Sequence, residues 1–428
     1  MEYEAKTKKA ALHNLGCKVN AYETEAMEQM LIAAGYEIVP FDETADVYVI
    51  NTCSVTHIAD RKSRQMIRRA RELSPDAIVV AAGCYVQTAS DAGTLPEDLG
   101  CDIIIGNNKK HLLPELIKNA KSSIYDINDG SQEYEELCDF TPHEHTRAFL
   151  KIQDGCNQFC SYCIIPYARG RVRSRSMKSV IEETMRLSEA GYREIVLTGI
   201  HVGSYHDTSN DPDDPKDLID LIEEVSAVSG IERIRLSSVE PRIITEENVR
   251  RLSAIEKLCP HFHLSLQSGC DETLKRMNRK YTTTEYRLSV ELLRRYFDDP
   301  AITTDVIVGF PGETDDEFQE SYDFVKSIGF YELHVFKYSP RSGTKAAKMP
   351  NQVSAADKQS RSERLIALGE EMSKIYRDRH RGKTLSVLIE EPVESHGKKY
   401  WSGFSKEYIK CLIPYDAALS SSDIVEYQ

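Results

Sequence analysis

Phe149-Leu150-Lys151-Ile152-Gln153-Asp154-Gly155-Cys156-Asn157-Gln158-Phe159-Cys160-Ser161-Tyr162-Cys163 runs from a short apolar strand pattern into three thiols spaced C-x3-C-x2-C. That spacing suits metal coordination, and the absent fourth thiol is informative. Structural zinc sites and electron-storing iron–sulfur clusters are closed by four protein ligands, whereas catalytic zinc keeps one position open. Three thiolates on a four-iron cluster likewise leave one iron free for a substrate. A zinc knuckle completed by a distant His or Cys, or unrelated reduced thiols, would show the same spacing.

Downstream the strand–helix alternation can be counted. Strand-like runs are Phe149–Ile152, Glu194–Thr198, Arg233–Ser237, His263–Leu266, Thr303–Val308 and Glu332–Phe336. Helical patterns lie between them, the first opened by the capping-box sequence Ser179-Val180-Ile181-Glu182. Six such units are too few for a closed eight-stranded barrel, so an open six-stranded (β/α) partial barrel is expected. Functional groups belong at the carboxyl ends of its strands. The three cysteines follow the first strand; Thr198-Gly199-Ile200-His201, Val239-Glu240-Pro241, Gln267-Ser268-Gly269-Cys270 and Gly309-Phe310-Pro311 follow later ones. His201 and Cys270 receive no assigned role.

Upstream, the chain reads as an N-terminal parallel-sheet α/β domain. Ala10–Leu15, Val47–Ile50, Ile78–Ala82 and Ile103–Ile105 are compact apolar runs of the kind buried parallel strands show. Glu23–Ala34 has amphipathic helical spacing and ends at Gly35. Cys17, Cys53 and Cys84 each come just after a strand. In a parallel sheet those carboxyl ends share one edge, so three cysteines far apart in sequence should meet there. Cys101 precedes its strand and should lie on the opposite edge as a small apolar residue. Chance placement at strand ends is the competing reading. Asp126–Asp139 is acidic, weakly patterned and linker-like, and its Cys138 has no evident partner.

Composition sets outer bounds. A chain of 428 residues with 41% apolar and 29% charged residues is an ordinary multidomain globular protein. It has no apolar run long enough to span a membrane and no signal-peptide pattern, so a cytoplasmic location is expected. Eleven cysteines in a reducing compartment favour metal or catalytic roles over disulfides. The net charge of −14 argues against a general polyanion binder, yet basic strips occur at Arg61–Arg71, Arg169–Arg175 and His380–Lys383. After a helical stretch over Ala355–Arg377, short strands at Leu385–Ile389, Trp401–Phe404, Ile409–Ile413 and Ile424–Tyr427 read as a small C-terminal β-barrel. Lys398, Lys399, Tyr400, Trp401, Phe404, Lys406, Tyr408 and Lys410 mix charge with aromatics, either as an RNA-facing surface or as barrel core with solvated lysines.

Lys151-Ile152-Gln153-Asp154-Gly155-Cys156, Cys160-Ser161-Tyr162-Cys163-Ile164-Ile165-Pro166, Arg169-Gly170-Arg171, Leu266-Gln267-Ser268-Gly269 and Arg276-Met277-Asn278-Arg279-Lys280-Tyr281-Thr282 together strongly resemble the radical S-adenosylmethionine methylthiotransferases. Leu15-Gly16-Cys17-Lys18-Val19-Asn20-Ala21-Tyr22-Glu23 is most similar to the branch acting on N6-threonylcarbamoyladenosine beside the tRNA anticodon. Branches acting on isopentenyladenosine or on a ribosomal protein are the alternatives, as is a non-catalytic iron–sulfur RNA-binding protein. The resemblance implies two [4Fe-4S] clusters, one on Cys156, Cys160 and Cys163 and one on Cys17, Cys53 and Cys84. It also implies S-adenosylmethionine, used both as methyl donor and as radical source for sulfur insertion at C2. Tyr162 and Phe310 would flank its adenine, and Gly199, Glu240, Gln267 and Gly309 would make further strand-end contacts. Implied domains are residues 1–140 for the auxiliary cluster, 141–370 for the radical chemistry and 371–428 as an RNA-binding TRAM-like β-barrel. Implied partners are the tRNA anticodon arm, an electron donor and a sulfur source, with the protein a monomer away from membranes.

Overall fold

The computed structural model describes residues 7–96, 98–124, 127, 133–137, 146–209 and 211–428. Cys138 and most of the linker-like stretch lie outside them. Of the stretch that is described, Ile127, Glu135 and Leu137 are buried, so these positions pack. The chain forms two compact units: residues 1–141, 151–175 and 341–344, and residues 142–150, 176–340 and 345–428.

The first unit begins with β1 (Lys9–Asn14), α1 (Lys18–Ala33), β2 (Glu37–Ile38), β3 (Val47–Thr52), α2 (His57–Leu73), β4 (Ile78–Gly83), α3 (Cys84–Asp91), β5 (Ile103–Ile105) and α4 (Leu113–Asn119). The strands form one parallel sheet in the order β2-β1-β3-β4-β5. Helices cover both faces, which is why every residue of β3 is buried and the run is apolar without alternation. One core packs Met27 and Leu31 of α1 with Leu113 and Ile117 of α4 on one face; a second packs Ile67 and Ala70 of α2 with Val86 on the other. The unit also contains the end of β6 (Arg147–Asp154), α5 (Ile165–Arg169) and β7 (Arg173–Ser174).

The second unit continues with α6 (Met177–Glu189), β8 (Glu194–Gly199), the hairpin of β9 (His206–Asp207) and β10 (Lys216–Asp217), α7 (Leu218–Ala227), β11 (Arg233–Leu236), α8 (Glu246–Ser253), β12 (His261–His263), α9 (Asp271–Arg276), α10 (Thr283–Tyr296), β13 (Ala301–Val308), α11 (Asp315–Ile328) and β14 (Glu332–Lys337). One sheet runs β11-β8-β6-β7 and another β12-β13-β14. Between them, Val239 and Leu264 form a single parallel bridge, so the six expected strands follow one another in sequence order as an open curl. The fourth strand is shorter than its apolar run: β12 ends at His263, and Leu264–Gln267 continues through isolated bridges.

Helix starts are set by side-chain caps. Thr282 with Glu285 and Thr314 with Glu317 form reciprocal capping boxes. The expected box at Ser179 is corrected: Ser176 caps α6, accepting from the Ser179 N–H at 3.2 Å, so the helix starts earlier and Ser179 lies in its first turn.

After the long α12 (Ala355–His380) come β15 (Leu385–Ser395), β16 (Lys398–Ser405), β17 (Lys410–Pro414) and β18 (Ile424–Tyr427), an antiparallel sheet in the order β17-β16-β15-β18. Its core holds Val387, Ile389, Trp401, Ile409 and Ile413. It docks on the amino-terminal ends of the curled sheet. Buried Arg233 donates to the Phe404 carbonyl at 3.0 Å, and buried Arg235 donates to the Ser405 and Lys406 carbonyls at 3.2 and 3.1 Å. Burial would raise the Glu194 carboxyl, but Arg235, Arg147 and Arg233 outweigh it and hold it below the ordinary range. Tyr408 stacks on His261 at 4.6 Å, and Phe404 stacks on Tyr408 at 4.7 Å. Trp401, Phe404 and Tyr408 therefore serve packing; Lys398, Lys399 and Lys410 are exposed.

Candidate active site

Three backbone turns bring the dispersed cysteines together. Cys17 caps α1 directly after Gly16, Cys53 follows β3, and Cys84 opens α3 directly after Gly83. Gly16 has φ +129°, and a Cβ there would lie 3.1 Å from the Cys53 sulfur. Gly83 has φ +96°, and a Cβ there would lie 2.6 Å from Asn51 Oδ1. Only glycine accepts these conformations at such close approach. Asn20 staples two of the turns, its Nδ2 donating to the Leu15 carbonyl at 2.8 Å and to the Thr52 carbonyl at 3.1 Å. Thr52 ties in the third, accepting from the Tyr85 N–H at 3.2 Å.

Cys53 and Cys84 are buried and Cys17 is exposed. Burial pushes the Cys53 thiol up to about 11, and the nearby Cys84 and Cys17 push it the same way. Thiols that raise one another's pKa become thiolates together only if a cation shares them. Cys101 behaves differently: partly buried against the apolar core, its thiol is raised to about 11 by burial.

The second trio sits in a tight loop after β6. Gly155 has φ +71°, and a Cβ there would fall 1.9 Å from the Arg171 carbonyl oxygen. The Cys156 N–H donates to the Gly170 carbonyl at 3.0 Å and the Cys163 N–H to the Cys160 carbonyl at 3.0 Å. All three thiols are partly exposed. Arg171 lies 4.6 Å over the Phe159 ring, which meets Tyr167 edge-on. Both cysteine trios and the half-buried Tyr162 belong to the first unit.

That unit also holds a dry ionic network. Glu23 of α1 is fully buried, with Arg169 Nη1 and Lys151 Nζ at 2.8 Å from Oε1 and Lys110 Nζ at 3.1 Å from Oε2. Asp154 pairs with Lys151 at 2.7 Å, Arg169 at 3.1 Å and Arg173 at 3.7 Å. Burial would raise both carboxyls, yet the surrounding cations hold Glu23 well below, and Asp154 below, the ordinary range. Arg169 Nη2 also donates to Asn20 Oδ1 at 2.7 Å, and Asn107 Nδ2 lies 3.6 Å from the Cys84 sulfur. The sequence signal for this network was a charged residue inside an apolar strand, Lys151 between Leu150 and Ile152.

Five of the expected S-adenosylmethionine contacts lie at strand ends of the second unit. Gly199 ends β8. Glu240 is cradled by His201 Nε2 at 3.1 Å, Arg242 at 3.0 Å and Arg279 at 2.9 Å. Burial would raise its carboxyl, but the hydrogen bond to His201 and the two guanidinium groups bring it down to about 2. His201 thereby gains a role as a neighbour of the Glu240 carboxylate. Gln267 has φ +69° and bridges Val306 of β13. Gly309, φ +68°, donates its N–H to Glu313 at 2.9 Å, and Phe310 is fully buried, edge-on to Tyr338. Cys270 is buried at the start of α9. A grouping the sequence reading missed is His263, Asp305 and His334, whose ligand-type atoms lie within 4.8 Å of one another. It needs β12, β13 and β14 side by side, so no local motif announces it.

Residues 150–325 match the radical SAM superfamily model, and residues 9–106 match an uncharacterized protein family, UPF0004. A threonylcarbamoyladenosine tRNA methylthiotransferase MtaB from Bacillus subtilis is 44% identical over 94% of this chain and 89% of its own length. Its namesake from Thermotoga maritima is 36% identical, with 94% and 91% covered. A tRNA-2-methylthio-N(6)-dimethylallyladenosine synthase from a Thermoanaerobacter species is 36% identical, with 89% and 81% covered. Among solved structures, the radical S-adenosylmethionine methyltransferase TsrM from Kitasatospora setae matches with a TM-score of 0.58 at 16% identity, covering 79% of this chain and 75% of that one. The last likeness bears on fold alone.

Proposed function

Because the chain belongs to the radical S-adenosylmethionine methylthiotransferases, we propose that it inserts a methylthio group at C2 of N6-threonylcarbamoyladenosine beside the tRNA anticodon. The observation that carries this reading is the second open trio, Cys17, Cys53 and Cys84, in the same compact unit as Cys156, Cys160 and Cys163. One trio suffices to generate a radical; two match a reaction that must also deliver sulfur. Relatives named for threonylcarbamoyladenosine are 36–44% identical, and the dimethylallyladenosine synthases 34–37%, so the 44% match supports the substrate branch.

The donor sets suit the cofactors of the family. Each trio offers three soft thiolate ligands and leaves a position open. Arg169, with a buried Nε–H that no acceptor among the described residues meets, supplies a donor fit for an anionic sulfur. When bound, the clusters and S-adenosylmethionine supply the electron, the radical and the sulfur that no side chain can provide. The protein's own residues hold and shield. Gly155 and Gly170 close the loop that presents Cys156, and Asn20 and Thr52 fix the strand-end turns. Gly199, Glu240, Gln267, Gly309 and Phe310 shape the strand-end edge of the curled sheet, and Tyr162 lies beside the radical-cluster cysteines.

The residue blocks take matching roles: 1–140 for the auxiliary cluster, 141–370 for the radical chemistry and 371–428 as a TRAM-like RNA module. The exposed Arg61, Lys62 and Arg68 of α2 give a net-negative protein a local basic strip for the anticodon arm. The protein acts as a cytoplasmic monomer and draws on an electron donor and a sulfur source. Anaerobically reconstituted enzyme, reductant and S-adenosylmethionine are to be given tRNA carrying threonylcarbamoyladenosine or isopentenyladenosine, side by side. Nucleoside mass spectra should show the methylthio derivative of the first. Modification of the second alone would move the protein to the other branch, and no modification of either would end the proposal.

A further inference from the structure

Among the described residues, the buried network in the first unit carries more positive than negative charge. Lys110, Lys151, Arg169 and Arg173 are four cations; Glu23 and Asp154 are two anions, leaving two positive charges among side chains that are all buried. Burying unmatched charge is costly unless another anion is present. Arg169 sharpens the point. Its Nη atoms are fully occupied, donating to Glu23 at 2.8 and 3.0 Å, to Asp154 at 3.1 and 3.2 Å and to Asn20 at 2.7 Å. Its Nε is buried and meets no acceptor among the described residues. Next to Arg169 in the chain, the Ala168 carbonyl accepts from Asn107 Nδ2 at 2.7 Å, and the same Nδ2 lies 3.6 Å from the Cys84 sulfur. Asn20, which takes one Nη bond, lies 3.9 Å from the Cys17 sulfur through the same Oδ1.

We propose that Arg169 is a positioning residue of the auxiliary cluster, its Nη fork locked by Glu23, Asp154 and Asn20 so that its Nε–H donates to a sulfur held at Cys17, Cys53 and Cys84. A segment contributed by the radical-cluster motif, Arg169-Gly170-Arg171, thus sets the charge environment of the other cluster. Hydrogen bonds to cluster sulfurs and nearby positive charge raise the reduction potential. The excess of two positive charges favours the more negative, reduced cluster and holds an anionic sulfur on it. Lysine in place of Arg169 keeps the charge but loses the planar fork and its preorganised fifth donor. This inference rests on the two-cluster reading above.

The test uses the full chain carrying Cys156→Ala, Cys160→Ala and Cys163→Ala, so that only the auxiliary cluster assembles. With arginine labelled by nitrogen-15, pulsed electron paramagnetic resonance of the reduced cluster should show a nitrogen-15 coupling. That experiment needs no Arg169 variant and survives any folding defect. In the same background, Arg169→Gln should lower the midpoint potential by at least a tenfold change in the one-electron equilibrium, about 59 mV; Arg169→Lys should recover part of the potential but not the coupling. An assembled cluster with no nitrogen-15 coupling, or an unchanged potential in Arg169→Gln, overturns the inference and leaves the two-cluster reading standing. A chain that assembles no iron on Cys17, Cys53 and Cys84 sinks both.

Discussion

Replacing Glu23 with glutamine changes one charge and almost no volume at the centre of the network. Glu23 is fully buried and answers three cations at once: Arg169, Lys110 and Lys151. The variant leaves Asp154 alone against four cations. Removing one partner of a buried ion pair costs about 3–5 kcal/mol, because the remaining charge stays dry and unmatched. Three partners place Glu23→Gln toward the upper end, about 4–5 kcal/mol. The pH dependence carries the same sign. The folded carboxyl of Glu23 lies well below its ordinary value, so its contribution is complete above the unfolded pKa of about 4.3. That contribution drains away as pH falls toward the folded value. The gap between wild type and variant should therefore be full at pH 7 and narrow below about pH 4. Urea unfolding followed by far-UV circular dichroism measures it. Trp401, the single tryptophan, lies in the C-terminal sheet of the other unit, so its fluorescence separates the two transitions. A loss under about 1 kcal/mol at pH 7, or an equal loss at pH 7 and pH 3, would show that Glu23 does not balance these cations.

Three further outcomes follow from the geometry. Glu240, held at about 2 by His201, Arg242 and Arg279, should contribute about 3 kcal/mol that is present above pH 4.5 and lost between pH 4.5 and 2. Glu240→Gln should flatten the acid-unfolding profile of the second unit in that window, read by Trp401 fluorescence, and an unchanged profile speaks against it. Gly155→Ala forces a Cβ onto the Arg171 carbonyl at 1.9 Å, so iron content should fall from about eight to about four per chain, measured by elemental analysis. Full iron loading would contradict the role given to that turn. Charge reversal at the exposed Arg61, Lys62 and Arg68 should weaken tRNA binding and reduce the slope of log affinity against log salt by about 2–3. A slope that does not change would move the RNA surface elsewhere.

The alternation of strands and helices was legible because parallel strands buried on both faces read as unbroken apolar runs, and β3 is buried throughout. The meeting of Cys17, Cys53 and Cys84 followed from that alone, since strand ends in a parallel sheet share an edge. Boundaries were less legible. The apolar run His263–Leu266 is only partly a strand, and Ser176, an unremarkable serine three residues upstream, caps the helix first assigned to Ser179. Mixed aromatic and basic residues near the C-terminus could not be sorted by composition, because Tyr408 packs on His261, which is 147 positions away in the chain. The ionic network needed three dimensions for the same reason: Glu23 and Arg169 are separated by 146 residues. Lys151 inside an apolar strand was its only local trace.

The proposed sulfur insertion requires both cysteine trios, Cys17, Cys53 and Cys84 as well as Cys156, Cys160 and Cys163. The most direct measurement is the nucleoside mass spectrum of tRNA from cells lacking this gene and complemented with wild type, Cys17→Ala or Cys156→Ala. Wild type should restore the 2-methylthio form of N6-threonylcarbamoyladenosine, and both variants should leave N6-threonylcarbamoyladenosine accumulated without the methylthio group. Restoration by Cys17→Ala would contradict the claim that the second trio delivers the sulfur.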